Sequence, residues 1–173
     1  SNGHYELMIP ELFDFGVAAN PLEQSHYTME YYENQFDPFS SHFFTYELDS
    51  LINIDFQLVL KGDITGTVTT PDHQPLAGVA VTAFHYFWDG TGGQSWIPYA
   101  SATTDDSGAY TFSQVLPDTY RIGFGQGQDY VAEFYSHTTT LESATDIVLG
   151  LGESAGNIDG TLAPLYRTIS GQV

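Results

Sequence analysis

Three short blocks of this sequence return in the same order and at nearly the same distance. Met29-Glu30-Tyr31-Tyr32 recurs as Ala132-Glu133-Phe134-Tyr135, at an offset of 103 positions. Asn53-Ile54-Asp55-Phe56-Gln57-Leu58 recurs as Asn157-Ile158-Asp159-Gly160-Thr161-Leu162, at an offset of 104. Ile64-Thr65-Gly66-Thr67-Val68 recurs as Ile169-Ser170-Gly171-Gln172-Val173, at an offset of 105. Gly3-His4-Tyr5-Glu6-Leu7 answers Asp118-Thr119-Tyr120-Arg121-Ile122, with a longer loop after it in the first copy. A near-constant period predicts tandem units that share one backbone plan, each leaning on its neighbours. The repeat places residues 1–60 as the C-terminal half of one unit, residues 61–163 as a complete unit and residues 164–173 as the first strand of a third. Half a β-unit alone would leave a core face and strand edges open, so the first 60 residues are expected to need a partner surface.

Within each unit the hydrophobic pattern has period two and is cut by turn residues, which is the signature of short strands. Ile64–Val68 alternates and stops at Pro71-Asp72-His73-Gln74-Pro75. Val79–Phe87 follows, then Asp89-Gly90 and Gly92-Gly93 mark a hairpin returning through Trp96–Ala102. Thr104-Asp105-Asp106-Ser107-Gly108 is a further tight turn, with an Asp placed to cap amides and a Gly able to take positive φ. Tyr110–Phe112, Tyr120–Phe124, Tyr130–Tyr135, Thr145–Leu149 and Ile158–Leu162 complete the strand set. Tyr120, Ile122 and Phe124 share one face. Pro21–Asn34 is the nearest approach to a helix, and its aromatic end suits a strand equally well. With 12 Tyr, 12 Phe and 42% hydrophobic residues, the chain has the apolar surface for a true core, the reverse of a disordered composition. The fold class is all-β, since seven or more short strands at close spacing read as a β-sandwich.

The central copy resembles the carboxypeptidase-regulatory-like repeats, which have a prealbumin-like sandwich and are related to Cna-B-type domains. The resemblance is carried by Ile64–Val68, by Pro75-Leu76-Ala77-Gly78-Val79-Ala80-Val81-Thr82-Ala83, and by Thr104–Phe112. It continues through Leu116–Phe124 and fits Tyr130, Glu133, Phe134 and Tyr135 in the strand that follows. It implies a seven-stranded prealbumin-like (Greek-key, Ig-like) sandwich repeated about every 104 residues, in bacterial surface or secreted proteins. It specifies the fold and not an activity. Cna-B-type domains often carry a Lys–Asn isopeptide bond promoted by a buried acid, here Lys61, Asn157 and Glu133 in turn. Lys61 precedes the first strand and the usual acid-box pattern is missing, so a solvated lysine at a unit junction is the preferred reading.

Charge excludes several functions. There are 22 acidic and 3 basic residues, for a formal net charge of −19. Nucleic acid and anionic membrane surfaces need a basic footprint, and only Lys61, Arg121 and Arg167 are available. No cysteine is present, which removes disulfides, thiol catalysis and zinc–thiolate sites. No apolar run approaches the ~18 residues of a membrane span, so no membrane insertion is expected. Ser1-Asn2-Gly3-His4 lacks the basic and apolar regions of a signal peptide, and an export signal would lie upstream. The expected location is secreted or at the cell surface.

Three site candidates remain. Tyr86, Trp88, Trp96 and Tyr99 lie on an aromatic hairpin that could stack on sugar, or could simply pair across strands. Asp105 and Asp106, with Asp89 or Asp129, could supply oxygens to calcium, although no Asp-x-Asp-x-Asp-Gly loop occurs and turn capping explains Asp105 as well. Ile169, Gly171 and Val173 could form an assembly strand that pairs with the edge of a neighbouring chain. His4, His26, His42, His73, His85 and His137 form no metal pair, and no serine sits in a Gly-x-Ser-x-Gly. No enzyme activity and no obligatory cofactor are expected. The leading function is a stalk, spacer or adhesion repeat whose partners are neighbouring repeats or identical chains. The alternatives are a carbohydrate-binding accessory module recognising a polysaccharide or host-surface ligand, and a filament subunit assembled by strand exchange.

Overall fold

The computed structural model describes residues 3–8, 14–21, 26–33, 35, 42–44, 53–88, 94–166 and 171–172, with the side chains of Trp88 and Gln94 outside that set. The chain divides into two units, Ser1–Leu60 and Lys61–Val173. Every described element is a strand, bridge or turn, apart from one three-residue 3-10 turn at Leu141–Ser143. The described parts of Pro21–Asn34 are extended or turned, so the strand alternative holds there.

The second unit is a sandwich of two sheets. Its strands are β3 (Gly62–Thr69), β4 (Ala80–Trp88), β5 (Gln94–Thr103), β6 (Ala109–Val115), β7 (Asp118–Phe124), β8 (Glu133–Phe134), β9 (Ile147–Leu149) and β10 (Gly160–Thr161). That makes eight strand segments among the described residues, three of them only two or three residues long, where the family resemblance implies seven. One sheet runs β10-β3-β6 and the other β5-β4-β7-β8, with β9 also on β7. All described pairings are antiparallel except β10 on β3, which is parallel, and the isolated bridge between Ile64 and Ala155. Alternation decides which residues face inward: Ile64 and Val68 on β3, Val81 and Ala83 on β4, Phe112 on β6, and Tyr120, Ile122 and Phe124 on β7 are all buried. Ile158 and Leu162, in and beside the final segment, are 5% and 0% exposed and close the core from below. Each such side chain contributes about 1.5–3 kcal/mol by leaving water.

Among the described residues of this second unit, the buried polar side chains are matched. The Tyr110 hydroxyl donates to the Ile158 carbonyl at 2.6 Å, and the Tyr120 hydroxyl donates to the Leu116 carbonyl at 2.8 Å. Burial drives both phenols far above the ordinary tyrosine range, so they remain donors at any physiological pH. Thr104 Oγ1 donates to the Leu76 carbonyl at 2.6 Å and accepts the Val79 amide at 2.9 Å. This ties the entry of β4 to the exit of β5.

The first unit contains β1 (Ala18–Ala19) and β2 (Glu30–Tyr31), paired antiparallel. A cluster of rings, Tyr5, Phe15, Tyr32, His42, Phe44 and Phe56, joins its segments, with centroid separations between 4.7 and 6.4 Å. Several of its hydrogen bonds have counterparts in the second unit, at offsets between 103 and 105 positions. Tyr31 N donates to Gln35 O as Phe134 N does to Thr138 O, at 2.7 and 2.8 Å. Thr28 N donates to Val59 O as Val131 N does to Ala163 O, both at 2.8 Å. Tyr32 N donates to Val17 O as Tyr135 N does to Ile122 O, at 2.9 and 2.8 Å, so Val17 and not Leu7 stands in the position of Ile122, against the match read from the sequence. Glu30 accepts the Gln57 amide, and Glu133 Oε1 accepts the Thr161 amide at 2.6 Å. The positive φ of Asn53 (66°) recurs at Asn157 (60°), and that of Glu33 (70°) at Ser136 (70°).

Gly66 explains why β3 and the final segment approach so closely. A Cβ built there would lie 2.0 Å from the Ile158 carbonyl oxygen, well inside contact distance. Gly66→Ala is therefore expected to push the two segments apart and cost at least about 1–3 kcal/mol, as overpacking does. Chemical denaturation of the variant checks this, and an unchanged midpoint would mean that the close approach contributes nothing to stability.

Candidate functional site

The aromatic hairpin forms the most developed surface feature among the described residues. Tyr86 on β4 stands opposite Trp96 on β5, with ring centroids 5.1 Å apart and planes tilted by 53°. The pairing follows from register, because both residues fall on the outer face, opposite Val81 and Ala83. Arg121 on β7 lies between the buried Tyr120 and Ile122, so alternation sends it to the same outer face. Its guanidinium carbon sits 4.2 Å from the centre of the Trp96 ring. Its Nε donates to Asp146 Oδ1 at 2.6 Å, and its Nη1 donates to the carbonyls of Leu141 and Glu142 at 2.8 and 2.9 Å. One arginine thus clamps the 141–146 segment to the sheet and presents its flat face to an indole.

Tyr86, Trp96, Asp118, Thr119, Arg121 and Asp146 line an open depression of about 470 Å³. Two aromatic rings beside two carboxylates and a hydroxyl can offer stacking surface and hydrogen-bond acceptors to a polar ligand with apolar faces. Asp118 is partly engaged already, since its Oδ1 accepts the Thr119 amide at 2.6 Å and its Oδ2 lies 3.3 Å from His85 Nδ1.

Of the hairpin residues named from the sequence, Tyr86 and Trp96 come together. Tyr99 does not join them. Three positions separate it from Trp96, an odd spacing that alternation sends to the other face, where its ring lies 5.2 Å from His85 and 5.3 Å from Tyr120. The Trp88 side chain and the turn 89–93 lie outside the described residues. Arg121, Asp118, Thr119 and Asp146 were not singled out as site residues in the sequence. The available signal was the parity of Arg121 between two core residues of β7. Asp146 carries no such signal, because a loop brings it in.

Asp105 acts as a turn cap. Its Oδ1 accepts the Ser107 amide at 2.8 Å, the Ser107 hydroxyl at 2.7 Å and the Ala109 amide at 2.9 Å. The Ser107 hydroxyl and those amides hold its carboxyl below the usual aspartate range. Asp106 is exposed beside it, and Asp129 lies on another exposed loop. No cluster of three or more His, Asp or Glu able to hold a metal occurs among the described residues. Of the assembly-strand residues, Gly171 is described and exposed, while Ile169 and Val173 lie outside the described set. Glu133 spends Oε1 on the Thr161 amide, and its Oε2 stands 3.5 Å from His137 Nδ1. Asn157 is exposed and Lys61 half-buried.

Replacing Arg121 by Met keeps the hydrophobic stem and removes three hydrogen bonds and the stacked cation. The variant is expected to lose about 1–3 kcal/mol of stability and to shift the tryptophan emission. A thermal melt followed by fluorescence checks both, and wild-type behaviour would show that Arg121 does not secure the 141–146 segment.

No curated protein sequence matches the chain. Among solved structures, the group B streptococcus pilus 2b backbone protein is similar at 14% identity, with a TM-score of 0.40, over 85% of this chain and 52% of that one. The chain therefore spans about half the length of that protein. A family model described as the carboxypeptidase regulatory-like domain matches residues 63–151, which run from the second residue of β3 past the end of β9 and make up just over half of the chain. By that match, on an all-β sandwich, the chain belongs to the carboxypeptidase regulatory-like domain family.

Proposed function

We propose that this chain is a non-catalytic structural segment of a tandem β-sandwich array in a secreted or cell-surface protein, serving as a stalk or spacer. The observation that carries this reading is the recurrence of one backbone framework in both units, down to the acid that receives a strand amide, Glu30 on Gln57 and Glu133 on Thr161. What recurs is architecture. The repeated acids hold backbone in place. Tandem units of this kind gain stability from themselves and from the junctions between them. The charge of −19 keeps such an array soluble and non-sticky.

On this reading residues 61–163 form a self-sufficient unit. Expressed alone, they are expected to unfold in one cooperative step, with the same midpoint in calcium and in chelator, because the capping oxygen of Asp105 already has three donors. Two such units fused in frame are expected to double the long dimension seen by small-angle scattering. Failure of residues 61–163 to fold alone would sink the tandem-unit reading. A chelator-dependent midpoint would instead assign calcium to the Asp105–Asp106 turn.

The Tyr86–Trp96 depression favours a second reading, an accessory module that binds neutral polysaccharide. Aromatic rings stack on the apolar faces of sugars, while Asp118 and Asp146 accept from hydroxyls. Intrinsic fluorescence is expected to respond to at least one member of a polysaccharide panel, and Trp96→Ala to abolish the response. Unchanged emission across the panel removes this reading and leaves the structural one intact.

A further inference from the structure

We infer that the Tyr86–Trp96 depression recognises a pair of adjacent hydroxyls on a neutral sugar, one read by Arg121 Nη2 and the other by Asp146 Oδ2. The inference rests on the polysaccharide reading of this depression and names the feature of the sugar that it takes.

Arg121 is fixed before any ligand arrives. Its Nε is held by Asp146 Oδ1 at 2.6 Å, its Nη1 by the carbonyls of Leu141 and Glu142 at 2.8 and 2.9 Å, and its flat face by the Trp96 ring at 4.2 Å. The side chain is only 14% exposed. Nη2 is the nitrogen left over. It donates to no described residue, yet it is not shut away from solvent, because Glu30 Oε2 is the one fully buried side-chain atom without a partner among the described residues. A guanidinium and a carboxylate can close a two-bond fork, and here only the Nε prong is used. The second oxygen, Asp146 Oδ2, likewise accepts from no described residue, on a side chain 47% exposed. One ion pair therefore offers an unspent donor beside an unspent acceptor, at the wall of the depression that Tyr86 and Trp96 also line.

Chemistry decides what fits a donor beside an acceptor. An ammonium brings donors only and leaves Nη2 facing a like charge. A carboxylate or sulfate brings acceptors only and meets Asp146 Oδ2, on a chain of net charge −19. A hydroxyl both donates and accepts. Two hydroxyls on neighbouring sugar carbons present one oxygen to Nη2 and one O–H to Oδ2, while the ring carbons lie against Tyr86 and Trp96. Thr119, two positions before Arg121 on the same face of β7, borders the same depression and adds a hydroxyl. Because the clamp already fixes the guanidinium, little side-chain freedom is lost on binding, and the direction of Nη2 selects among sugars that stack equally well.

The test follows the tryptophan emission of the full chain on titration with neutral polysaccharides. Long soluble 1,4-linked glucan and mannan keep two adjacent hydroxyls on every internal residue, whereas long 1,3-linked glucan keeps none. At least one 1,4-linked chain is expected to bind, and the 1,3-linked chain to bind at least about tenfold more weakly. The affinity of the 1,4-linked chain is expected to fall at least about tenfold after periodate cleavage of its diols and borohydride reduction, and equally in Asp146→Ala. That variant is expected to stay folded in a thermal melt, since Arg121 keeps its two carbonyls and the indole. Binding that survives periodate, that 1,3-linked glucan matches, or that Asp146→Ala leaves unchanged overturns the inference and leaves the polysaccharide reading standing. Silence across the whole panel removes both.

Discussion

The parallel docking of segment 155–162 on β3 is the contact on which the second unit depends. It joins the last part of the unit to its first strand, across about 90 residues of chain. It requires a glycine on β3, an aspartate that reaches over to the Thr67 amide, and a tyrosine hydroxyl on the Ile158 carbonyl. Those three devices draw the two backbones closer than side chains would otherwise allow. Ile158 and Leu162 then lie beneath the Tyr110, Phe112 and Phe124 layer, where they complete the core. Without the docked segment the β3–β6 sheet would be a two-stranded ribbon, which is marginal in water.

The acids of this protein fall into two kinds. Most are exposed and set the net charge, which governs solubility and partner choice but not fold. Several, exposed ones included, also do structural work as acceptors of backbone amides, among them Asp105 in its turn, Asp159 on β3, Glu133 on β10 and Glu30 on Gln57. Glu30 is the costly member. Its carboxyl is buried, one oxygen has no partner among the described atoms, and desolvation raises its pKa despite the Gln57 amide. A raised carboxyl pKa favours the folded state below the unfolded value, and that contribution fades as pH rises through the folded value. The stability of the first unit therefore includes a contribution from this residue that is larger in mild acid than at neutrality.

Much of this was legible from residues alone, because period-two patterning and glycine–aspartate turns act locally. Tyr120, Ile122 and Phe124 could be placed on one buried face by counting, and Asp105 could be assigned as a turn cap from its distance to Ser107 and Gly108. The candidate site was legible only in half. Tyr86 and Trp96 meet because they are hairpin partners. Tyr99 leaves them because it stands an odd number of positions from Trp96, so alternation gives it the opposite face, beside His85 and Tyr120. Asp146 reaches Arg121 from a loop 25 residues away, a meeting that depends on how β9 returns to β7.

The sequence by itself determined the strand pattern, the recurring blocks and the glycine at each Ile-x-Gly-x-Val, since these arise from alternation, turn chemistry and period. Only the tertiary structure decided what each recurrence is for. It set Gly66 against a carbonyl, turned Glu133 onto a strand amide and stacked Arg121 on Trp96. The physical reason is range. Alternation and turns are fixed by neighbours a few residues apart, whereas these three contacts join positions 92, 28 and 25 residues apart. They exist only once the sheets have closed on one another.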